Sequence, residues 1–496
     1  MIDELMQQRI KKLEDLKNEG ICLYGGRFPK KHTALWIKEN FRENMEVSSA
    51  GRIVALRAHG KSIFGDIKDS SGKVQFYIKK DTVGEDNFTF LKKLDVGDII
   101  GLSGELFMTH TNEATILAKG VELLSKGIRP LPEKWHGLKD VELRYRKRYL
   151  DLIANEKVKE VFVTRSRIIK EIRNFLDDRD YLEVETPMMH SIAGGAAGKP
   201  FKTHLEALNM DLFLRIAPEL YLKKLLVGDL EKVYEINRSF RNEGLSKKHN
   251  PEFTMLEVYT AYADYKDMME LVKGIIMHIA NVLGKKELAF QSQIIDLSNW
   301  EEVSFAELMR DNFDINPNDA ETVWLEKLKK KGVKVELKGG RISRTFILNL
   351  ISDLIEEKLQ TNHPVFITDI YTELCPLAKK KKDDPLLSER FELFMGGMEI
   401  ANAYSELNDP MEQRERFLSQ ASDEECSNID EDFVEALEYG MPPAGGLGIG
   451  IDRLVMLFTN QSSIKDVILF PQLKPEPQDS VGDSKQNLAK SDSEKS

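Results

Sequence analysis

Between Val47 and Leu124 the chain is written in short alternating runs, SAGRIVALRAHGKSIFGDIKDSSGKVQFYIKKD and then VGDIIGLSGELFMTHTNEATILAKGVELL, each broken by Gly, Asp or Asn. Runs this short, with turn residues between them, are poor helices and predict a small all-β barrel. Asp69-Ser70-Ser71-Gly72 sits between two of them and reads as a hairpin turn. Further on the period changes. Val158, Val161, Phe162, Ile168, Ile169, Ile172, Phe175 and Leu176 fall on one face of a helix, and the strand-like Tyr181–Thr186 after them is halted by Pro187. The two parts must fold differently, and the Pro-rich join Arg129-Pro130-Leu131-Pro132 places a boundary near residues 130–145.

A chain of 496 residues has room for about two to four domains. With 71 basic and 82 acidic side chains, a net charge of −11 and 41% apolar residues, the composition is that of a soluble globular protein. It argues against bulk affinity for nucleic acid but leaves a local basic groove open. Cys22, Cys375 and Cys426 are far apart and form no C-x-x-C pair, so neither a disulfide framework nor a thiolate zinc site is expected. The N-terminus alternates acids and bases without the apolar centre of a signal peptide, and no apolar run approaches the roughly 20 residues that span a bilayer. A cytoplasmic setting without membrane contact is expected.

The expected fold class is α+β. Residues 1–140 should hold N-terminal helices and a five-stranded barrel of the OB type, which by its strands alone either binds nucleic acid or serves only as structure. Residues 145–474 show strands at Met210–Ile216, Val233–Arg241, Glu252–Tyr262, Val365–Thr368, Met398–Glu406 and Gly446–Gly450. Helices separate only some of these, which predicts a largely antiparallel sheet flanked by helices. Residues 265–362 read as a helical insertion. Residues 475–496 are polar, lack aromatics and read as a disordered tail.

Two glycine-rich stretches fail their obvious readings. Ala193–Pro200 would be a phosphate loop, but Ala193 takes the first Gly position and Pro200 the Ser/Thr position. Gly446-Leu447-Gly448-Ile449-Gly450 lacks the third glycine spacing of a dinucleotide fingerprint. Glycines in a strand still imply the close approach of a ligand or backbone. In the return strand after Asn250-Pro251, Phe253, Met255, Glu257 and Tyr259 share one face. That face is either an ordinary exposed surface or the floor of a polar ligand site.

The hairpin carrying Arg241, Glu243, His249 and Phe253 resembles motif 2 of the class II aminoacyl-tRNA synthetases. Gly445–Leu454 resembles motif 3, and the helix and strand ending at Pro187 resemble motif 1, the dimer-forming element. The wording of Arg215–Leu222 and Ser405–Asp409 is similar to the lysyl-tRNA synthetases, and the resemblance covers nearly the whole chain except the tail. It implies a homodimer that activates L-lysine with ATP to lysyl-adenylate and pyrophosphate, then transfers lysine to the 3′ end of tRNA(Lys).

The resemblance also implies residue roles. Arg241 would bridge the α-phosphate and the substrate carboxylate. Arg453 would contact the γ-phosphate and stack on the adenine opposite Phe253, while Glu243, His249 and Asn250 close the ATP pocket. Fixed cations suit a pentavalent phosphate that gains negative charge. Glu392 and Glu399 would hold Mg²⁺, a hard ion bound by carboxylates, unless Glu392 is merely a surface residue. Glu219, Glu406 and Tyr259 would take the ε-ammonium, since a buried charge needs partners; Glu219 otherwise reads as a helix-dipole partner. Glu257 and the backbone at Gly195 would take the α-amino group, and Asn402 the carboxylate. In the barrel Phe64, Gln75 and Glu113 would read the anticodon.

Two departures from the family pattern stand out. Ala401 and Ala403 flank Asn402 where glycines are common, followed by Tyr404 in place of Phe, so two added methyls should narrow the lysine pocket or alter the strand. Asp369-Ile370-Tyr371 lacks an expected proline. Alternation also sets Glu399 and Glu406 on opposite faces, so a bulge near Gly396-Gly397 is needed if both line one site. The run Lys379–Lys382 reads either as a solvated loop or as a tRNA contact. Two competitors remain: a paralogue that lysylates a protein, which would lack the OB domain, and an inactive binding protein, which the full set of charged motif residues disfavours.

Overall fold

The computed structural model describes residues 4–132, 138–192, 194–195, 198–333, 343–423 and 430–475. The expected tail beyond Pro475, Cys426, and Ala193, Ala196 and Ala197 of the glycine-rich run lie outside the described residues. The chain divides into two compact units, Met1–Lys139 and Asp140–Ser496.

In the first unit β1 (Glu46–His59), β2 (Ser62–Lys68), β3 (Lys73–Lys79), β4 (Ile99–Met108) and β5 (Ala114–Ser125) close a barrel in the order β1-β2-β3-β5-β4. Alternation supplies its interior: Ile53, Ile63, Ile67, Val74, Phe76, Ile78, Ile100, Leu102 and Ile116 are all buried. The β2–β3 turn is built by Asp69, whose Oδ1 accepts from the Ser71 and Gly72 amides. Burial opposes the ionised carboxyl, but hydrogen bonds from Lys30 and Ser71 outweigh it and hold its pKa down at about 2.

The second unit carries β6 (Leu182–Glu183), β7 (Met189–His190), β8 (Phe201–Leu205), β9 (Met210–Leu214), β10 (Lys232–Phe240) and β11 (Glu252–Ala261). The later strands are β12 (Glu287–Phe290), β13 (Gln293–Asp296), β14 (Glu301–Ser304), β15 (Val365–Thr368), β16 (Arg390–Met395), β17 (Met398–Ser405) and β18 (Ala444–Gly450). Eight of them form the central sheet in the order β14-β15-β16-β17-β18-β11-β10-β6. It is antiparallel except at its ends, where β14 runs parallel to β15 and β6 parallel to β10. The helices Glu156–Asp177, Tyr265–Val282 and Ile451–Thr459 bury their apolar sides against one face, joining Leu256, Val258, Phe391, Leu393, Ala401, Ala403, Leu447 and Ile449 in a single core. Arg165 ties this layer together through Asp452 and Thr254. The opposite face is left for chemistry.

The stretch expected as a helical insertion is more varied. Tyr265–Val282 belongs to the main core, β12 and β13 make a hairpin, and β14 extends the central sheet. Among the described residues only Phe305–Phe313, Glu321–Lys330 and Arg344–Lys358 pack as a helical group, around a core that includes Trp324 and Phe313. A four-residue strand whose parallel partner lies some sixty residues away in sequence leaves no local periodicity to read. The strand expected over Tyr181–Thr186 is likewise shorter, only Leu182–Glu183. Among the described residues no helix is long and apolar enough to cross a membrane.

Candidate active site

The site is floored by β11, β18, β17 and β16. Across them Glu257 pairs with Gly448, Tyr259 with Gly446, Asn402 with Gly448 and Tyr404 with Gly446. Two glycines of β18, Gly445 and Gly446, are required by space. A Cβ on Gly446 would stand 1.9 Å from Glu406 Oε1 and 2.7 Å from the Tyr259 ring. The strand therefore lets side chains from both neighbours meet over its backbone.

The bulge expected near Gly396-Gly397 lies further along. The β16–β17 register shifts between Leu393 and Phe394, leaving Ile400 as the extra residue on β17. Ile400 and Ala401 are consequently both buried in the core, while Glu399, Asn402, Tyr404 and Glu406 turn to the site. The Ala401 and Ala403 methyls thus point into the core and away from the site face, so of the two effects expected of them, a narrowed pocket or an altered strand, the first does not arise. Their departure from glycine is accommodated by the core.

At one end of the floor is a buried, acid-lined pocket. Glu219 stands in the first turn of the Glu219–Val227 helix after Pro218, and its Oε1 accepts from Tyr404 Oη at 2.6 Å and Lys223 Nζ at 2.7 Å. Lys223 also contacts Glu406 Oε2. Glu406 Oε1 is buried with no hydrogen-bond partner among the described residues. An orphaned carboxylate oxygen in a buried pocket calls for a cation. Burial pushes the Glu406 pKa well up, against Lys223, and Glu219 adds to the rise. Glu257 accepts from Tyr259 Oη at 3.1 Å, and burial followed by Glu219 raises it to about 8. Gly195, at φ +87°, approaches Ala217 and Glu219 beside this pocket. Asn402 Oδ1 accepts from Arg390 Nε at 3.1 Å, which leaves the Asn402 amide NH₂ to donate.

The other end is cationic. Arg241 follows β10, its guanidinium 5.3 Å over the Phe253 ring and its Nε buried without a partner among the described residues. Glu243 is exposed beside it, near Gly198. Arg453 Nη1 donates to the Glu399 carbonyl at 2.8 Å and to its carboxylate at 3.2 Å. Arg453 Nη2 donates to His249 Nε2 at 3.0 Å, so that nitrogen is an unprotonated acceptor. Burial, then Arg453, keeps the His249 pKa below its ordinary value. Asn250 donates to the Glu252 carbonyl, and its buried Oδ1 is open. Lys248 bonds the Gly397 carbonyl at 2.8 Å, holding this loop over the sheet.

Glu392 is paired with Arg390 at 2.7 Å. Burial lifts its pKa to about 7 against Arg390, with Glu399 and Glu356 adding negative charge. This is a hard-oxygen donor set that a divalent cation would relieve, so the residues fit Mg²⁺. Among the described residues no cluster of three ligands could hold a metal alone, so such an ion would need oxygens from a bound phosphate as well. In the basic run three lysines are engaged within the chain: Lys379 bonds Asn408, Lys380 pairs with Glu412 and Lys381 with Asp369.

On the barrel Phe64 stacks on Tyr77 at 4.2 Å, and Phe107 lies 6.0 Å beyond. Gln75 accepts from Thr115 at 2.9 Å, and Glu113 pairs loosely with Lys38 at 3.4 Å. An aromatic platform with polar edges suits single-stranded bases.

Comparison with known proteins decides the family. Residues 140–474 match the family described as tRNA synthetases class II (D, K and N), and residues 47–124 match an OB-fold nucleic acid binding domain. A Lysine--tRNA ligase of Pelotomaculum thermopropionicum is 53% identical over 485 residues, covering 96% of both chains. That of Carboxydothermus hydrogenoformans is 52% identical over 96% of this chain and 99% of its own, and that of Bacillus subtilis 47% over 95% and 98%. The chain belongs to the class II lysyl-tRNA synthetases.

Several residues at this synthetase site escaped the sequence reading. Lys223 carries a signal in hindsight, four residues after Glu219 and so on the same helix face. Tyr404 shares the alternation of Asn402 and Glu406. Arg390 bonds Asn402 across the β16–β17 pair and Glu392 along β16, Tyr77 stands directly opposite Phe64 in the β2–β3 hairpin, and Phe107 reaches Tyr77 from β4.

Proposed function

We propose that the chain joins L-lysine to tRNA(Lys) in two steps. The lysine carboxylate attacks the α-phosphate of ATP, the bond to the β-phosphate breaks and pyrophosphate leaves; a 3′-terminal hydroxyl of the tRNA then attacks the adenylate carbonyl, releasing AMP. Arg241, beside Phe253 and with its Nε unpartnered among the described residues, is the cation for the α-phosphate and substrate carboxylate. Arg453 serves the γ-phosphate and the adenine face opposite Phe253, with Glu243, His249 and Asn250 around the nucleotide. Glu219, Glu406 and Tyr259 receive the ε-ammonium, Glu257 and the Gly195 backbone the α-amino group, and the Asn402 amide the carboxylate. Glu392 and Glu399 would hold Mg²⁺, which when bound offsets phosphate charge. Phe64, Gln75 and Glu113 face the anticodon.

The observation that carries this reading is the buried Glu406 Oε1 near Glu219, which has no hydrogen-bond partner among the described residues and so calls for a cation. The test is ATP–pyrophosphate exchange with each of the twenty amino acids. Lysine should support it strongly without tRNA, and equal exchange with aspartate or asparagine would reject the assignment.

We also infer a homodimer working in the cytoplasm. Leu182, Met188 and Met189, around Pro187, are about half exposed, and such an apolar cluster is better covered than wet. Sedimentation that finds an active monomer at micromolar concentration would refute the dimer.

A further inference from the structure

Lys223 is a fully buried ammonium that the reaction just described does not use. Its Nζ lies 2.7 Å from Glu219 Oε1 and contacts Glu406 Oε2, the two carboxylates assigned to the substrate's ε-ammonium. The Tyr404 and Phe433 rings flank it at 5.5 and 5.9 Å. The next residue, Lys224, turns outward to Asp432 instead. The protein has thus placed one of its own lysine side chains beside the place where substrate lysine must end. With both carboxyls ionised, two buried carboxylates against one ammonium would leave one negative charge, and Glu406 Oε1 has no hydrogen-bond partner among the described residues. Tyr404 Oη fixes Glu219 from the other side at 2.6 Å.

We propose that Lys223 is a positioning residue of the lysine pocket: with the Tyr404 hydroxyl it holds Glu219 and Glu406 oriented to receive one further cation together. This rests on the assignment of the pocket to lysine. Without Lys223 the carboxylates would repel each other, turn apart or share a proton, and the incoming ammonium would have to undo that arrangement. The other ionisable groups facing the pair are Glu257 and Tyr259 from β11 and Tyr404 from β17. Glu235 and Arg241 act electrostatically on Glu257, and Arg390 on Tyr404.

The test is steady-state exchange by the full-length enzyme across pH. Lys223→Met should raise the lysine KM about tenfold or more with little change in the ATP KM. The acidic limb of the lysine KM profile should move up by about one pH unit, because a lost cation makes protons bind the pair more tightly. Lys223→Arg should return that limb toward the parent. Tyr404→Phe removes one oxygen and keeps the ring. It should raise the lysine KM about three- to tenfold with the same upward shift, and it decides the matter if Lys223→Met does not fold. A lysine KM and pH limb unmoved in Tyr404→Phe or in folded Lys223→Met would overturn the inference, as would lysine and ATP KM rising together. Glu406→Gln separates the two levels. If it leaves the lysine KM unchanged the pocket assignment itself has failed, whereas an effect there with none at Lys223 and Tyr404 refutes only the positioning role.

Discussion

Gly446→Ala is the sharpest perturbation of the lysine pocket, because it adds one carbon and no charge. The new methyl would sit 1.9 Å from Glu406 Oε1, 3.0 Å from Glu406 Cδ and 2.7 Å from the Tyr259 ring. Non-bonded heavy atoms settle at about 3.5 Å, so the carboxylate has to retreat by about 1.5 Å. It cannot do so freely, since Glu406 is buried and tied to Lys223. Overpacking of this kind costs about 1–3 kcal/mol, and a binding group misplaced by ~1 Å can lower a rate about a hundredfold. Lysine-dependent exchange should show a lysine KM raised about ten- to a hundredfold, with the ATP KM nearly unchanged and a modest drop in Tm. Gly448→Ala is the contrast: its Cβ meets the end of the unbranched Met255 side chain at 3.3 Å and the Asn402 carbonyl at an ordinary 3.8 Å, so it should melt close to the parent. A Gly446→Ala enzyme with the parent lysine KM would show that lysine does not lie over β18.

Arg241→Ala should depress kcat for exchange far more than it raises the lysine KM, since its charge is most useful when the phosphate gains charge in the transition state; rapid-quench or steady-state exchange measures this. Phe64→Ala should lower kcat/KM for tRNA aminoacylation about five- to a hundredfold at fixed salt, one lost base stack being worth roughly 1–3 kcal/mol, while exchange is spared. Tyr77→Ala should act in the same direction through its stack on Phe64. Glu257 supplies a pH dependence: its pKa rises from 4.5 unfolded to about 8 folded. Its protonated form therefore stabilises the ligand-free fold fully below 4.5, and this contribution is lost as pH rises through about 8. Glu257→Gln should flatten that part of the decline in Tm, and an unchanged profile would refute the assignment.

Local pattern in the sequence was enough for much of this protein. Period-two alternation defined the barrel interior and put Phe253, Met255, Glu257 and Tyr259 on one face; period-3.6 spacing gave the helix from Glu156 to Asp177; and the absence of side chains at Gly446, Gly448 and Gly450 signalled a close approach. Ordered motifs supplied the family. These features are legible because they depend on residues a few positions apart. What only the tertiary structure decided depends on partners far away in the chain. The bulge at Ile400 is set by the register of β16 against β17, and it alone brings Glu399 and Glu406 to the same side and sends the Ala401 and Ala403 methyls into the core. The parallel edge strand β14 needs β15 to exist at all. Two adjacent lysines, 223 and 224, read alike in sequence, yet one is buried between Glu219 and Glu406 and the other faces Asp432 at the surface. A helix pattern assigns a side chain to a face, but the charge it meets there comes from whichever strand the fold lays across it.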